Sequence, residues 1–399
     1  MFMQDIFSFL EKEFNNYFNN NNNFSIFFAP GRINLIGEHT DYTGGFVLPA
    51  GIDKGTYILA KKNNSKKINI LSLNFEKKIE TIDLTESLIK ESKWTDYIKG
   101  CIFFLREKFK NLNSGFDAIV YGNIPNGAGL SSSASIEMVA ILTILGMNEI
   151  DIPLPGTKEM IDLTLIAQKA ENNFVGVNCG IMDQFAIGNA KKDCAIKLNC
   201  NTLDFDYCKV ELEDYSILVS NTNKKRRLEE SKYNERRREC EIGFELLKKY
   251  GVTKEVLADV TVEEWDSIKD KFNDNPTIKK RLNHVITENQ RVKEAFSALN
   301  TKDIKKFAQL LNESGNSLKN DYEVTGEHLD AIVESARDTD GVIASRMTGA
   351  GFGGCAINIV EKKKIQSVIE NIKHKYFNQT NILPDFYIFN LGDGARKEK

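Results

Sequence analysis

Three glycine-punctuated segments gather the side chains that could do chemistry. The first runs Pro30-Gly-Arg-Ile-Asn-Leu-Ile-Gly-Glu-His-Thr-Asp-Tyr-Thr-Gly-Gly and sets Arg32, Asn34, Glu38, His39, Thr40, Asp41 and Tyr42 among four glycines. Carboxylates accept hydrogen bonds from hydroxyls, and a guanidinium donates through a planar fork, so such a loop suits a polyhydroxylated ligand. The composition alone is equally that of a polar surface loop. The second segment is Asn123-Ile-Pro-Asn-Gly-Ala-Gly-Leu-Ser-Ser-Ser-Ala-Ser. Here a strand feeds a small-residue loop that opens a helix, where unpaired N–H groups and the helix dipole favour phosphate. Gly127 and Gly129 leave room for close approach, and Ser131, Ser132 and Ser133 add hydroxyls. Serines that merely cap the helix are the alternative, although capping requires neither the glycines nor three serines. The absence of Gly-Lys-Ser/Thr excludes a Walker A loop, and Gly129-Leu-Ser-Ser-Ser lacks the second glycine of a nucleophile elbow.

The third segment is Arg346-Met-Thr-Gly-Ala-Gly-Phe-Gly-Gly-Cys. Gly349, Gly351 and Gly354 satisfy G-x-G-x-x-G, but this loop precedes a strand instead of following one, and no acidic residue stands at the expected distance. A glycine loop that closes over phosphates or substrate from a second domain fits better than a dinucleotide site.

The elements that must position these segments follow from periodicity. Ser25–Phe28 is expected as a strand stopped by Ala29-Pro30-Gly31, after an Asn19–Asn23 loop. Further strands are expected at Thr56–Ala60, Ile68–Leu73, Phe116–Tyr121, Ala195–Leu198, Ile217–Ser220, Cys355–Val360 and Phe386–Asn390. Helical spacing covers Trp94–Phe109, a long apolar run from Ser132, and Lys158–Phe174. It returns over Leu228–Tyr250, Pro276–Ser297, Ile304–Leu311 and Ile365–Tyr376. The change of character at the charged stretch Asn223–Glu230 divides the chain into two α+β domains, 1–210 and 211–399.

Composition narrows the function classes. The chain has 399 residues, enough for two or three domains, with 41% hydrophobic and 27% charged residues. A net charge of −3 gives no basic field for nucleic acid or an anionic membrane. No apolar run reaches the roughly 18 residues of a membrane span. The first residues lack the basic start and apolar stretch of a signal peptide, and suit an amphipathic helix docked on the body. Seven cysteines without a CxxC pair read as small buried thiols of a cytoplasmic protein, and the spacing of Cys194, Cys200 and Cys208 does not suit zinc. Four histidines, none in HExxH, leave a hard cation held by oxygen as the metal to expect.

Taken together, the three segments resemble the signature motifs of the galactokinase family within the GHMP kinase superfamily. Gly31-Arg-Ile-Asn-Leu-Ile-Gly-Glu-His-Thr-Asp-Tyr is similar to the family's sugar-binding signature, with Thr43 where the family commonly has Asn. Pro125-x3-Gly-Leu-Ser-Ser-Ser-Ala resembles the superfamily phosphate loop, and Arg346–Gly354 its third motif. The resemblance implies an N-terminal α+β domain, a C-terminal ferredoxin-like α+β domain and an active site in the cleft between them. It also implies transfer of the γ-phosphate of ATP to the C1 hydroxyl of α-D-galactose, the entry step of the Leloir pathway. N-acetylgalactosamine kinase, another GHMP small-molecule kinase and a non-catalytic galactose sensor are the rivals. An intact Ser131–Ser135 run speaks against the sensor.

Residue roles carry over from the same resemblance. Asp183, in Cys179-Gly-Ile-Met-Asp-Gln, matches the carboxylate that faces the C1 hydroxyl, and Arg32 the arginine beside it. Glu38, His39, Thr40 and Asp41 match the sugar loop, with Gly180 and Tyr233 as further sugar contacts. Gly127, Ala128, Gly129, Leu130, Ser131, Ser132 and Ser133 match the ATP loop, and Ser72 a further nucleotide contact. Ser133 and Glu171 match ligands of Mg²⁺. A cytoplasmic monomer is expected.

Overall fold

The computed structural model describes residues 3–18, 23–125, 127–224 and 229–399. Most of the expected Asn19–Asn23 loop, Asn126 of the phosphate loop and residues 225–228 of the charged stretch lie outside the described residues. Helix α1 (Met3–Tyr17) carries Ile6, Leu10 and Phe14 on one face at a spacing of four. That face is buried on Ile26, Phe28, Tyr57, Leu59 and Leu71, so the amphipathic N-terminal segment docks on the body.

The first half continues through β1 (Ser25–Asn34), β2 (Phe46–Val47), β3 (Pro49–Lys62), β4 (Lys67–Ser72), β5 (Ile79–Asp83), α2 (Asp96–Lys108) and β6 (Phe116–Gly122). It ends with α3 (Ser132–Met147), α4 (Lys158–Lys169), α5 (Met182–Asn189), β7 (Cys194–Asn199) and β8 (Phe205–Lys209). The strand expected to stop at Ala29-Pro30-Gly31 instead runs on to Asn34. Its register against β3 shifts between Pro30 and Arg32. Such a bulge is where a ladder tolerates a residue without an N–H. Gly31 belongs there because a Cβ would lie 2.8 Å from the Leu130 carbonyl oxygen. Helix α3, apolar all round, is buried between the sheet and α2, α4 and α5. Helix α4 passes into a π-helical turn over Ala170–Val175, a feature frequent at functional sites.

The second half comprises β9 (Tyr215–Asn221), α6 (Glu229–Lys249), α7 (Val262–Ile268), α8 (Pro276–Asn300), α9 (Ile304–Ser317), α10 (Gly326–Arg337), β10 (Val342–Thr348), β11 (Cys355–Glu361), α11 (Ile365–Thr380) and β12 (Asp385–Ile388). Its sheet is antiparallel in the order β10-β11-β9-β12, the ferredoxin-like arrangement. Side chains alternate across it. Leu218, Ala356 and Val360 pack under α10 and α11, whereas Val219, Ile357 and Ile359 join Ile33, Leu35 and Ile52 of the first half in one core. A last strand, β13 (Arg396–Lys397), returns to pair with β1, so the end of the chain completes the N-terminal sheet.

Candidate active site

A cavity of about 450 Å³ opens where β1, the start of α3, the start of α5, α6 and the end of β10 converge. That volume is within the range of small-molecule sites. Arg32 lies on β1 just past the bulge, and Asp183 in the first turn of α5. Although 151 positions separate them, Arg32 Nε donates to Asp183 Oδ1 at 2.8 Å and Nη2 to Oδ2 at 2.9 Å. The third guanidinium nitrogen, Nη1, donates to the Gly129 carbonyl at 2.8 Å, which ties the fork to the phosphate loop. The Ser131 hydroxyl donates to Asp183 Oδ2. Ser131 is the residue before α3, in left-handed conformation at φ 63°, and its side chain makes no capping bond to the helix. Capping is therefore not what this serine does. The leading N–H groups of α3 keep no side-chain partner from it, as an anion site requires.

Residues of the first glycine-punctuated segment also border the cavity. Glu38, His39 and Asp41 line the cavity, with Tyr233 of α6 and Gly180 beside them. Gly180 admits no side chain, since a Cβ there would collide with the Asp41 carboxylate. Burial raises the Asp41 carboxyl to about 6, and the charge of Asp183 acts in the same direction. Burial pushes the His39 imidazole down to about 3, so it is neutral. Its Nδ1 meets the Tyr42 hydroxyl at 3.0 Å, and its buried Nε2 has no hydrogen-bond partner among the described residues. Glu38 is fully engaged by the protein. Oε2 accepts from Asn34 Nδ2 at 2.7 Å and Arg346 Nη2 at 2.5 Å, and Oε1 from Thr348 Oγ1 and the Gly349 N–H, both at 3.0 Å. Burial pushes its carboxyl up while Arg346 pulls it down.

Of the phosphate-loop residues, Gly127, Gly129, Leu130, Ser131, Ser132 and Ser133 line the cavity. Ala128, Ser72 and Thr40 are buried off its wall. The Thr40 hydroxyl bonds the Gly37 and Phe46 carbonyls at 2.9 and 2.8 Å, which folds the sugar loop. Ser72 Oγ accepts from the Asn74 N–H at 3.3 Å. Glu171, in the π-helical turn, and Ser133 both line the cavity, and Glu171 Oε2 accepts from Gln184 Nε2 at 2.6 Å. Burial raises the Glu171 carboxyl, and no ion pair relieves it among the described residues. Gly349 and Ala350 of the third motif line the cavity from the second half, and Cys179 and Asn178 add wall that the motifs did not single out. Arg346 is buried behind the wall and joined to Glu38, whereas in the sequence it is only the first residue of a glycine loop. Its role rests on a partner 308 positions away.

Residues 12–62 match the galactokinase galactose-binding signature, 96–190 the N-terminal domain of GHMP kinases and 295–379 their C-terminal domain. Galactokinases of Clostridium acetobutylicum and Fusobacterium nucleatum are 45% and 46% identical over 98% of this chain and 99% of theirs. The crystal structure of Lactococcus lactis galactokinase complexed with galactose superimposes with a TM-score of 0.93 at 40% identity, covering 98% of this chain and 99% of that one. Methanococcus jannaschii mevalonate kinase shares the fold, with a TM-score of 0.64 at 18% identity over 94% of this chain and all of that one.

Proposed function

The chain belongs to the galactokinase family of GHMP kinases, and from that premise we propose that it phosphorylates α-D-galactose at the C1 hydroxyl, converting ATP to ADP. The observation that carries this reading is the Arg32–Asp183–Ser131 constellation, at the junction of the phosphate loop and the sugar loop. The C1 hydroxyl oxygen attacks the γ-phosphorus as its proton passes to an Asp183 carboxylate oxygen. The bond from that phosphorus to the β,γ-bridging oxygen breaks, and ADP leaves. In a loose transition state the protein supplies mainly position and charge. The Arg32 guanidinium fixes the Asp183 carboxylate in plane and offsets negative charge on the transferred group. Phosphates lie along Gly127–Ser133 and the start of α3, while Glu38, His39, Asp41, Gly180 and Tyr233 form the sugar wall.

Ser133 and Glu171 fit Mg²⁺. A carboxylate that burial pushes towards neutrality, beside a hydroxyl and without a cationic partner among the described residues, matches an ion that takes few protein oxygens. When bound, the ion neutralises phosphate charge. All seven cysteines are free thiols, in keeping with a reducing cytoplasm. Among the described residues no helix is long and apolar enough to cross a membrane. ADP release measured against galactose, N-acetylgalactosamine, glucose and mevalonate tests the assignment. Galactose should give much the highest kcat/KM. Faster turnover of N-acetylgalactosamine would transfer the assignment to that sugar, and no turnover of any would leave a sensor.

A further inference from the structure

Behind the cavity wall a single amide joins two carboxyl groups. Gln184 Nε2 donates to Glu171 Oε2 at 2.6 Å and to Glu137 Oε2 at 3.0 Å, which uses both of its N–H bonds. Glu137, on α3, and Gln184, on α5, are both fully buried. Two oxygens of this group are left over. Glu137 Oε1 and Gln184 Oε1 are each buried without a hydrogen-bond partner among the described residues. An unpaired buried acceptor is destabilising, and two in contact groups call for a common cause. An ionised carboxylate only accepts, so it could relieve neither oxygen, and no ion pair to Glu137 is present among the described residues. A proton on Glu137 Oε1 would relieve both, with that oxygen donating and Gln184 Oε1 accepting. With the existing Nε2 bond this closes the two-bond ring of a carboxylic acid and a primary amide.

We propose that Glu137 is a positioning residue that, as the neutral acid, donates from Oε1 to Gln184 Oε1 and so keeps the Gln184 nitrogen turned towards Glu171. Burial pushes the Glu137 carboxyl well above its ordinary range, and the nearby charges of Glu171 and Asp183 act in the same direction. Were the amide reversed, its oxygen would face the Glu171 carboxylate and repel it. Partners of this outer kind orient metal-binding carboxylates, and their loss lowers metal affinity about 10–100-fold. The link to magnesium rests on the assignment of Glu171 above, whereas the acid–amide ring does not.

The experiment compares Glu137→Gln with Glu137→Leu, each free of metal and nucleotide for melting and infrared spectra, and then with varied Mg²⁺ for kinetics. A glutamine reproduces both bonds of the ring as an amide pair. Glu137→Gln should therefore keep the melting temperature and the KM for Mg²⁺ close to wild type. Glu137→Leu should melt several degrees lower and raise the Mg²⁺ KM about tenfold or more, with a smaller effect on galactose. The metal-free wild type should show a protonated-carboxyl C=O band that Glu137→Gln lacks. Glu137→Gln failing as badly as Glu137→Leu, or no such band in the wild type, would overturn the neutral acid even if Glu137→Leu does not fold. A present band with an unchanged Mg²⁺ KM in Glu137→Leu would leave the ring intact and defeat its link to the metal site.

Discussion

Arg32 spends every guanidinium nitrogen on the site, two on Asp183 and one on the Gly129 carbonyl. Lysine would keep the charge but not the planar fork, so Arg32→Lys is not a conservative change here. If the fork serves the transferring phosphoryl group, kcat and kcat/KM for galactose should fall together in Arg32→Lys. A raised KM at unchanged kcat would reduce Arg32 to a support of the sugar loop. Asp41 gives a pH signature of its own. Its carboxyl is raised from 3.8 to about 6, first by burial and then by Asp183. Only the ionised form accepts sugar hydroxyls with both oxygens, so affinity should rise as pH climbs through about 6. KM for galactose is expected to be up to about tenfold higher at pH 5 than at pH 7, measured at saturating ATP. The stability sign is opposite. A carboxyl raised in the fold makes the ligand-free protein less stable as pH rises from about 4 to about 6. A galactose KM that stays flat over this window would remove Asp41 from the sugar wall.

Helix α3 shows how an element can be legible while its chemistry is not. Its apolar run and the glycine loop before it announce a strand–loop–helix unit, and the helix begins at Ser132 as expected. Whether Ser131 caps or catalyses could not be read locally, since its hydroxyl goes to Asp183, 52 positions on. Ser131→Ala separates the two roles. Loss of a cap would lower stability by about 1 kcal/mol with little change in turnover. Loss of the Asp183 contact should instead lower kcat about tenfold or more with a nearly unchanged melting temperature. Other elements escaped for the same reason. Strand β10 reads Val-Ile-Ala-Ser-Arg-Met-Thr, and its buried Ser345 and Arg346 break the apolar pattern a strand is recognised by. They are tolerated because Ser345 bonds Asn358 at 2.7 Å and Arg346 bonds Glu38. Helix α5 has eight residues, too few to show a period, yet it carries Asp183 and Gln184. Glu171, Gln184 and Glu137 pass for ordinary helix residues until the fold brings them together, and only the family resemblance marked Glu171 beforehand.

At the scale of the whole molecule, the site depends on two halves held in one register. The apolar part of that grip is the shared core of Ile33, Leu35 and Ile52 with Val219, Ile357 and Ile359. Its polar part is the fully buried Arg346, which bonds the Asn34 and Leu35 carbonyls, both at 2.9 Å, as well as Glu38. Glu38 in turn holds the Gly349 N–H, so the sugar loop and the third motif share one carboxylate. Such a pair is a weak source of net stability, but breaking it from one side strands a charge and is destabilising by about 3–5 kcal/mol. Arg346→Met should therefore lower stability by that order, and the pH dependence identifies the cause. Burial already pushes the Glu38 carboxyl up, and without Arg346 the largest influence that pulls it down is gone, leaving mainly the Gly349 N–H. In the variant Glu38 can escape by taking a proton, which is easy at low pH and increasingly unfavourable as pH rises above its ordinary 4.5. The deficit relative to wild type should be small near pH 5 and largest near pH 8, measured by urea unfolding at both. Adding Glu38→Gln to Arg346→Met should flatten this difference, because no charge is then left behind. A deficit equal at the two pH values would mean that Arg346 acts through its carbonyl bonds and packing, and that the halves are registered by shape rather than by charge.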